Sequence, residues 1–526
     1  MPDIVLTNVT KKWDRFYAVD NLNLVIDDNA FVTLLGPSGC GKTTTLRMIA
    51  GLETPTSGRI TIGGTTVFDS EAGINVPANK RRVGFLFQNY ALWPNMTVYK
   101  NIAFGLSNIK EDLPVIDDGA LAAAGQLRVL ENLPDMLKII EESKDKSGKI
   151  DADKAALHLI DGFEISAGSA KDLLNLRIHE SLEPNSVAAA KADKLRAELE
   201  AARKKHAASG HVLNERFELV KDGKVLTKTR KLSAEEIDLK VRKVARIVKI
   251  GMFMDRYPSE LSGGQQQRVA IARTLAPEPS VLFMDEPLSN LDAKLRLEMR
   301  SELQRLHIDT GSTFIYVTHD QMEAMTLASK ICLINNGVLQ QYAAPLDVYN
   351  KPVNLFAADF VGSPAINFIQ ASGTGQNGAS TALSVLDGIK AVFTPNGAEI
   401  EKAPEVIQAP DKSNKDVVFR PNIPNVEYTD EAARVAEDAE YILGVRPEYI
   451  RIDGKSGIEG EIYSSMPTGM ETTVRIRVGN HLLTGVVFGG VLYRIGQRVR
   501  VSFETDGIIL FDGKGGGMIA QGSLSI

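Results

Sequence analysis

Short apolar runs, separated by stretches with helical spacing, mark the beginning of the chain and the region beyond residue 260. These runs predict strands at Ile4–Val9, Asn23–Ile26, Phe31–Leu35, Val281–Met284 and Thr313–Val317. The stretch from Thr43 to Ala50 has the spacing of a helix. Apolar strands that alternate with helices are typical of a mostly parallel sheet covered on both faces. The pattern therefore predicts an α/β domain.

The pattern changes between residues 108 and 232, where Ala, Lys and Glu become frequent. Ala188–Lys205 has the composition of an exposed amphipathic helix. Lys221–Lys224, with the sequence Lys-Asp-Gly-Lys, predicts a hairpin turn between the strands Phe217–Val220 and Val225–Lys228. Ser233–Glu236 has the capping-box pattern that starts a helix. We interpret 108–232 as an inserted, helix-rich segment; a solvated variable loop remains the alternative.

Beyond Pro364 the chain is rich in glycine and in short strand patterns. Such patterns occur at Glu459–Tyr463, Thr473–Val478, Val499–Phe503 and Ile508–Phe511. This spacing favours a small all-β barrel or sandwich in residues 366–526. The α/β domain is then built from residues 1–107 and 233–365.

Composition narrows the class of protein. A chain of 526 residues is expected to form two or three domains. The net charge of −6 gives no electrostatic reason to expect a nucleic-acid partner. Two cysteines cannot form a disulfide framework, and no stretch approaches the roughly 18 to 20 apolar residues that cross a bilayer. With no secretory-signal pattern at its start, we expect a cytosolic protein that reaches a membrane only through partners.

A glycine-rich sequence, Gly-Pro-Ser-Gly-Cys-Gly-Lys-Thr, directly follows the strand Phe31–Leu35. Glycine permits tight turns with positive φ, so backbone N–H groups of this loop can wrap phosphates. Lys42 is expected to reach the β- and γ-phosphates, and the Thr43 hydroxyl to bind Mg²⁺. The predicted nucleotide site consists of Gly36, Pro37, Ser38, Gly39, Cys40, Gly41, Lys42, Thr43 and Thr44.

Polar residues with catalytic potential follow two further strands. Asp285 follows Val281–Met284, where its carboxylate is expected to hold the water shell of Mg²⁺. Glu286 is expected to polarise the attacking water, and His319 to donate to the γ-phosphate. Considered alone, the two acids could merely cap a strand, and a single histidine at a strand end is usually structural.

A second glycine element, Leu-Ser-Gly-Gly-Gln, precedes a stretch with helical apolar spacing. The Ser262 hydroxyl and the glycine N–H groups then stand at a helix N-terminus, which is a favourable place for an anion. Because one chain carries both elements, each nucleotide is expected to lie between two copies of the protein. The residues assigned to this element are Ser262, Gly263, Gly264 and Gln265.

Together these motifs resemble the ABC transporter ATPases, and among them the ATP-binding subunits of carbohydrate importers of the maltose and glycerol-3-phosphate type. The resemblance covers about residues 1–107 and 233–526. In the family's order, Gly36–Thr43 resembles Walker A, Gln88 the Q-loop, Leu261–Gln265 the signature, Val281–Glu286 Walker B with its catalytic acid, Ser289–Asp292 the D-loop and His319 the switch histidine. Gly444–Glu448 resembles a motif of the family's OB-like regulatory domain.

The resemblance implies roles that the residues alone do not. Trp13 takes the position of the aromatic that stacks on adenine, Gln88 contacts Mg²⁺ and the attacking water, and Asp292 joins the nucleotide site. The implied cofactors are ATP and Mg²⁺. The implied partners are a second ATPase subunit, identical or paralogous, integral membrane permease subunits and, indirectly, a solute-binding protein, with no nucleic acid. The chain is then expected at the cytoplasmic face of the membrane, with the exposed Tyr90–Met96 region transmitting motion to a permease.

Two departures from the family pattern stand out. Asn290 occupies a position where the D-loop more often has alanine. The distance from Gln88 to the signature is far longer than usual, because 108–232 interrupts the helical subdomain that ordinarily grips the permease. Alternative functions are import of polyamine, sulfate, phosphate or iron, a soluble ABC ATPase of DNA repair or translation, and a mainly regulatory protein.

Overall fold

The structure, a computed structural model, describes residues 3–108, 110–145, 148–374, 380–397, 418–424, 433–434, 439–452, 457–503 and 506–526. The chain forms two compact units, residues 1–81 with 312–526, and residues 82–311. Across the described residues, no helix is both long enough and apolar enough to span a bilayer.

The first 81 residues contribute strands and one helix to the first unit. These are β1 (Ile4–Trp13), β2 (Phe16–Ile26), β3 (Phe31–Leu35), α1 (Lys42–Ala50), β4 (Ser57–Ile62), β5 (Thr65–Asp69) and β6 (Ile74–Asn75). Every residue of β3 is buried, and its bounds are those predicted from its apolar run. β1 and β2 extend beyond their predicted cores and join an antiparallel sheet in the order β2-β1-β4-β5-β6.

Residues 82–311 form the second unit. Its elements are β7 (Val83–Leu86), α2 (Val98–Asn108), β8 (Glu111–Pro114), α3 (Asp118–Glu131), α4 (Leu133–Glu142), α5 (Ala152–Phe163), α6 (Ala167–Asn175), α7 (Pro184–Ala208), β9 (Val212–Leu213), β10 (Leu219–Lys221), β11 (Lys224–Val225), β12 (Thr227–Arg230), α8 (Ala234–Ile247), α9 (Gly263–Leu275), β13 (Val281–Asp285) and α10 (Ala293–Thr310). β13 pairs with β7 in parallel, so that the carboxyl ends of both strands lie at one edge.

Helices α3 to α7 pack around a hydrophobic core of their own. On α7 the buried residues are Ala188, Ala192 and Leu195, whose spacing of four and three places them on one face. The predicted hairpin is confirmed, with Val220 opposite Val225, but its second strand ends at Val225. Residues 227–230 pair instead with β8. That 108–232 is an insertion, with the boundaries given above, stays a prediction.

The remaining elements belong to the first unit. They are β14 (Thr313–Thr318), α11 (Gln321–Leu327), β15 (Lys330–Asn335), β16 (Val338–Ala343), α12 (Pro345–Asn350), α13 (Leu355–Phe360), β17 (Asn367–Thr374), β18 (Thr381–Val385), β19 (Ile389–Pro395), β20 (Asn422–Ile423), β21 (Ala433–Arg434), β22 (Tyr441–Val445), β23 (Ile450–Ile452), β24 (Ile458–Pro467), β25 (Glu471–Val478), β26 (His481–Phe488), β27 (Arg498–Phe503), β28 (Ile508–Asp512) and β29 (Met518–Ser525). β14 and β15 flank β3 in parallel, and β16 closes that edge antiparallel to β15.

The C-terminal β domain combines a closed barrel with a five-stranded sheet. The barrel order is β17-β18-β19-β29-β28-β22, and the sheet order is β23-β27-β24-β25-β26. Apolar residues from both fill one core, because inward and outward side chains alternate along each strand. The predicted small all-β domain is confirmed.

A buried arginine joins the β domain to helices α12 and α13. The Arg446 guanidinium lies 4.0 Å from the ring centre of Tyr349 and donates to the Tyr349 carbonyl at 2.7 Å. It also donates to the carbonyls of Ala358, at 3.2 Å, and Val361. The Tyr349 hydroxyl donates to Glu448 at 2.7 Å. Burial lowers the pKa of Arg446, whose charge is held by carbonyl dipoles and an aromatic face.

Candidate nucleotide-binding and hydrolysis site

The phosphate loop begins where β3 ends and leads into α1. Gly36 has φ of 154° and Gly41 has φ of 100°. A Cβ atom would lie 2.1 Å from the Ile334 carbonyl oxygen at Gly36, and equally close to the Ala18 carbonyl oxygen at Gly41. Both positions therefore require glycine, and neighbouring backbone fixes the path of the loop.

The start of α1 offers donors suited to an anion. Gly41 is the N-cap residue and provides no side-chain cap. The buried Lys42 ammonium donates to the carbonyls of Gly36 and Pro37, at 2.8 Å each, and thereby folds back over its own loop. A helix N-terminus beside a buried cation fits a triphosphate, because the helix dipole and the ammonium both favour negative charge.

Cys40 lies inside this loop, 3.8 Å from the Lys42 ammonium. Burial raises the pKa of the Cys40 thiol, although the charge of Lys42 opposes that shift. The thiol therefore stays protonated at neutral pH and acts as a small buried filler.

His319 stands at the same edge as the phosphate loop. β14 pairs with β3 so that Thr318 is opposite Leu35, and His319 and Gly36 are the next residues of the two strands. His319 is exposed, and Asp320 beside it caps α11 by accepting from the N–H groups of Met322 and Glu323. Parallel pairing thus brings together two motifs that lie far apart in the sequence.

In the second unit, parallel pairing of β7 with β13 likewise brings Gln88 and Glu286 together. Leu86 is opposite Met284 in the parallel pair of β7 and β13. The Gln88 amide lies 3.4 Å from the Glu286 carboxylate and 3.4 Å from the Ser289 hydroxyl. Asp285 is buried at the end of β13, whereas Glu286 leaves the strand with φ of 45°. The Asp285 carboxylate is therefore buried, whereas that of its neighbour Glu286 is partly accessible to solvent.

Two residues of the D-loop support this cluster. The Ser289 hydroxyl donates to the Glu286 carbonyl at 2.9 Å, and the Asn290 amide donates to the Gln88 carbonyl at 3.1 Å. The role of Ser289 was not anticipated from the sequence. The departure at Asn290 supplies a hydrogen bond that alanine could not make.

The region after Gln88 differs in part from expectation. Trp93 is exposed, as predicted, and packs on Phe104 with ring centres 5.3 Å apart. The prediction of an exposed region was wrong for Tyr90, which is buried. Arg273 donates to the carbonyls of Tyr90 and Ala91, at 2.7 and 2.6 Å. The Tyr90 hydroxyl reaches the Pro287 carbonyl at 3.4 Å. Tyr90 therefore anchors this loop beside Glu286, and its exposed part begins with Ala91.

The signature element starts α9 with a complete capping box. The Ser262 hydroxyl accepts from the Gln265 N–H at 3.4 Å, and the Gln265 side chain accepts from the Ser262 N–H at 2.9 Å. Ser262 and Gly263 are exposed, whereas Gly264 is buried. A Cβ atom at Gly264 would lie 2.7 Å from the Leu295 side chain. Asp292 caps the neighbouring helix α10 by accepting from the Leu295 N–H at 3.0 Å.

Trp13 ends β1 opposite Phe16. The two rings are stacked, with centres 6.5 Å apart and planes inclined by 8°. Trp13 is 47% exposed, and the Lys11 ammonium lies 5.2 Å from its ring centre. An exposed, pre-stacked aromatic surface beside a cation is suited to a nucleobase.

Comparison with known proteins identifies the family. The ABC transporter family model matches residues 19–289, and the TOBE domain model matches residues 443–511. The trehalose/maltose import ATP-binding protein of Thermococcus litoralis is 32% identical over 98% of this chain and 96% of its own length. The xylose/arabinose import ATP-binding protein of Haloferax volcanii is 31% identical over 98% and 95%. An uncharacterized ABC transporter ATP-binding protein of Sinorhizobium fredii is 30% identical over 99% and 95%.

These matches explain why one chain carries a phosphate loop, an acidic strand end and a glycine signature in this order. They also account for the barrel that follows them. The chain therefore belongs to the ABC transporter family, as an ATPase with a P-loop cassette and a C-terminal TOBE domain of OB-like β-barrel type.

Proposed function

We propose that this chain is the ATP-hydrolysing subunit of a sugar importer and works at the cytoplasmic face of the membrane through separate permease subunits. The observation that carries the proposal is the contact between Gln88 and Glu286, which joins the Q-loop to the catalytic acid across 198 residues of sequence. The sugar cargo is supported by the trehalose/maltose and xylose/arabinose import proteins, to which the chain is similar over nearly its whole length.

In this proposal ATP is bound first by residues of the phosphate loop. Trp13 stacks on the adenine, while Lys42 and the N–H groups at the start of α1 hold the phosphates. We assign Thr43, Gln88 and Asp285 to Mg²⁺, because hydroxyl, amide and carboxylate oxygens are the ligands it prefers. When bound, Mg²⁺ offsets the negative charge of the phosphates.

Glu286 accepts the proton of the attacking water. Its carboxylate can bind a water because it projects beyond the buried strand, and the Gln88 amide at 3.4 Å restricts its position. Ser289 holds the Glu286 carbonyl and so fixes the turn that carries this carboxylate. We assign His319 to the γ-phosphate, where an imidazole N–H stabilises the charge that develops during transfer.

A second ATPase subunit completes the site. We assign Ser262, Gly263, Gly264, Gln265 and Asp292 of one copy to the nucleotide held by the other. These contacts exist only in the closed dimer, so ATP favours closure by its additional affinity for that state. Hydrolysis removes the γ-phosphate contacts, the dimer reopens, and the exposed loop beyond Tyr90 passes the motion to a permease.

Substitution of the catalytic acid tests the ATPase part of this proposal. Glu286→Gln keeps the shape of the side chain but removes the base, so we expect steady-state hydrolysis to fall by at least about 100-fold. ATP binding persists, and size-exclusion chromatography with ATP then shows a trapped dimer. Glu278→Gln is the matched control, because Glu278 pairs with Lys240 and Lys243 at 2.6 and 2.8 Å. Unchanged turnover in Glu286→Gln contradicts the assignment.

The cargo requires a separate measurement. The chain would be reconstituted with the permease and binding-protein subunits that co-purify with it, and uptake of sugars, polyamines, sulfate, phosphate and iron compared. ATP-dependent uptake of a sugar supports the proposal. Uptake of another solute alone, or co-purification without any membrane subunit, rejects the sugar importer.

A further inference from the structure

We propose that a cavity between α13 and the β domain is a sugar-binding site through which a carbohydrate adjusts the rate of ATP hydrolysis. This inference rests on the proposed function, since it takes sugar as the solute class that the protein handles. It adds a second site, apart from the nucleotide site and on the ATPase chain itself.

The cavity has a volume of about 400 Å³ and is bounded by two parts of the first unit. One wall is the chain that leaves the ATPase domain, from Asp359 in α13 to Ile366. The other wall comes from the β domain and includes Asn422, Thr473 and Arg475. Pockets of 300 to 1,000 Å³ are typical of small-molecule sites, and this volume is in the range of a mono- or disaccharide.

Three polar side chains of this cavity are open to a ligand: Asp359 is half-buried, and Asn422 and Arg475 are exposed. The neighbouring Asn367, in contrast, is already hydrogen-bonded to two backbone carbonyls. Within the part of the chain that the structure describes, Asp359, Asn422 and Arg475 form no side-chain hydrogen bond or ion pair. Burial raises the pKa of Asp359, and the nearby charge of Arg446 only partly opposes this shift. A half-buried carboxyl without a hydrogen bond is unfavourable. The cavity therefore offers an acid, an amide and a guanidinium that a ligand could satisfy together.

Apolar groups complete the lining. Phe368, Met466 and Leu482 border the same space. A sugar presents C–H faces and hydroxyl groups that both donate and accept, so it matches apolar surface and mixed polar groups at once. A phosphate or a simple carboxylate would match Arg475 but would be repelled by an ionised Asp359. The donor set thus favours a neutral polyol over an anion.

The wall that carries Asp359 is connected to the switch histidine. Gln321, the first residue of α11, donates to the Phe360 carbonyl and accepts from the Gly362 N–H at 2.8 Å. Gln321 follows His319 by two residues, and Arg446 binds the same wall through the Val361 carbonyl. A ligand bound between Asp359 and Arg475 restrains this wall and, through Gln321, the position of His319.

Calorimetry on the full-length chain without nucleotide tests the site. We expect maltose, trehalose, xylose or arabinose to bind saturably with one site per chain. Asp359→Asn and Arg475→Gln should each raise the dissociation constant for sugar by about tenfold, because each removes about one hydrogen bond to a charged group. Arg498→Gln is the control, because Arg498 is an exposed arginine of β27 outside the cavity.

A second measurement tests the regulatory step. The bound sugar should change the ATPase rate at least about twofold, and Gln321→Ala should abolish this change while calorimetry still shows binding. The sugar site is overturned if no sugar binds at about 10 mM ligand, which is roughly 100 times a weak dissociation constant of about 0.1 mM. It is also overturned if both cavity variants bind sugar as tightly as the unchanged chain, or if amino acids or inorganic phosphate bind in preference to sugar. Sugar binding that leaves the ATPase rate unchanged overturns the regulation.

The two proposals fail in distinguishable ways. Calorimetry without nucleotide does not depend on Glu286, on permeases or on uptake. If calorimetry shows no sugar site, the proposal of an importer ATPase still stands. If uptake shows a non-sugar cargo, the measured sugar affinity still stands, and only the link between the bound sugar and the cargo is lost.

Discussion

Two helices of this protein begin at glycine-rich sequences that face phosphates in the proposed cycle, and they begin in opposite ways. α1 starts after Gly41, without a side-chain cap, beside the buried Lys42 ammonium. α9 starts at Ser262 with a reciprocal capping box to Gln265. The first N-terminus receives no hydrogen bond from the side chain of its cap residue, whereas at the second the N–H groups of Ser262 and Gln265 are paired within the box.

This difference matches the order of events in the proposed cycle. The α1 site is preformed, because steric contact with fixed backbone holds its loop in shape. It can bind nucleotide in a single copy. In the open dimer, the start of α9 is stabilised by its own capping box. When the dimer closes, the phosphate has to compete for the Ser262 hydroxyl and the N–H groups that this box already uses. In the proposed cycle, therefore, the phosphate loop captures ATP, and the signature element responds to ATP already bound.

The largest effect is expected at Gly41. Gly41→Ala places a Cβ atom 2.1 Å from the Ala18 carbonyl oxygen, so the loop has to move. We expect nucleotide affinity to fall at least about 100-fold, measured with a fluorescent ATP analogue. The control is Gly39→Ala, because Gly39 also has positive φ but has nothing within 4 Å of an added Cβ. An equal loss in both variants would show that backbone conformation, and not the steric contact, sets the site.

The next effect concerns the capping box of α9. Ser262→Ala removes the cap and, with it, the hydroxyl offered to the second nucleotide. Unfolding free energy should fall by about 1 kcal/mol. Hydrolysis should fall by about tenfold or more, while nucleotide affinity of the isolated subunit stays unchanged.

Ser233→Ala is the matched control for that experiment. Ser233 and Glu236 form the same box at the start of α8, with distances of 3.2 and 2.7 Å, but no part of our mechanism uses them. The control should lose at least as much unfolding free energy, because the Ser233 hydroxyl also donates to Asp118 at 2.9 Å, and it should keep its ATPase rate. If both variants lose hydrolysis equally, the effect of Ser262 is one of stability, and the contrast between α1 and α9 fails.

The smallest effect on ATP affinity is expected at Trp13, the residue assigned to the adenine. Trp13→Ala should weaken ATP binding by about tenfold, because base stacking contributes about 1 to 3 kcal/mol. Phe16→Ala removes only the ring behind it and should cost less than half of that free energy. Competition between ATP and inorganic triphosphate provides the measurement, since triphosphate affinity should not change in either variant. Equal weakening of triphosphate would place Trp13 outside the base site.

Local motifs allowed much of this molecule to be predicted. β3 and its loop, the acidic end of β13 and the box at Ser233 depend on neighbours within a few residues, and each is found where its sequence indicates. Where pairing partners are distant, prediction failed in part. Thr227 and Lys228 leave the expected hairpin because β8, more than a hundred residues earlier, is available to pair with them.

The supporting contacts of the site were the least predictable. Ser289 and Asn290 contact Glu286 and Gln88 only because β7 and β13 are neighbours, and no local pattern encodes that register. Tyr90 was expected to be exposed from the family resemblance, but Arg273 binds its backbone carbonyl and its ring is buried. The residue roles assigned in our mechanism stay predictions until the variants are measured.

The buried Arg446 has a practical consequence for hybrid proteins. Its guanidinium binds the carbonyls of Tyr349, Ala358 and Val361, so α12 and α13 are tied to the β domain as well as to the ATPase elements. Exchange of the C-terminal domain between relatives with a junction at residue 365 separates this arginine from its carbonyl acceptors. A junction ahead of Pro345 transfers them together, provided that the recipient cassette matches the apolar residues that α12 and α13 contact, such as Leu35, Ala324 and Ile331.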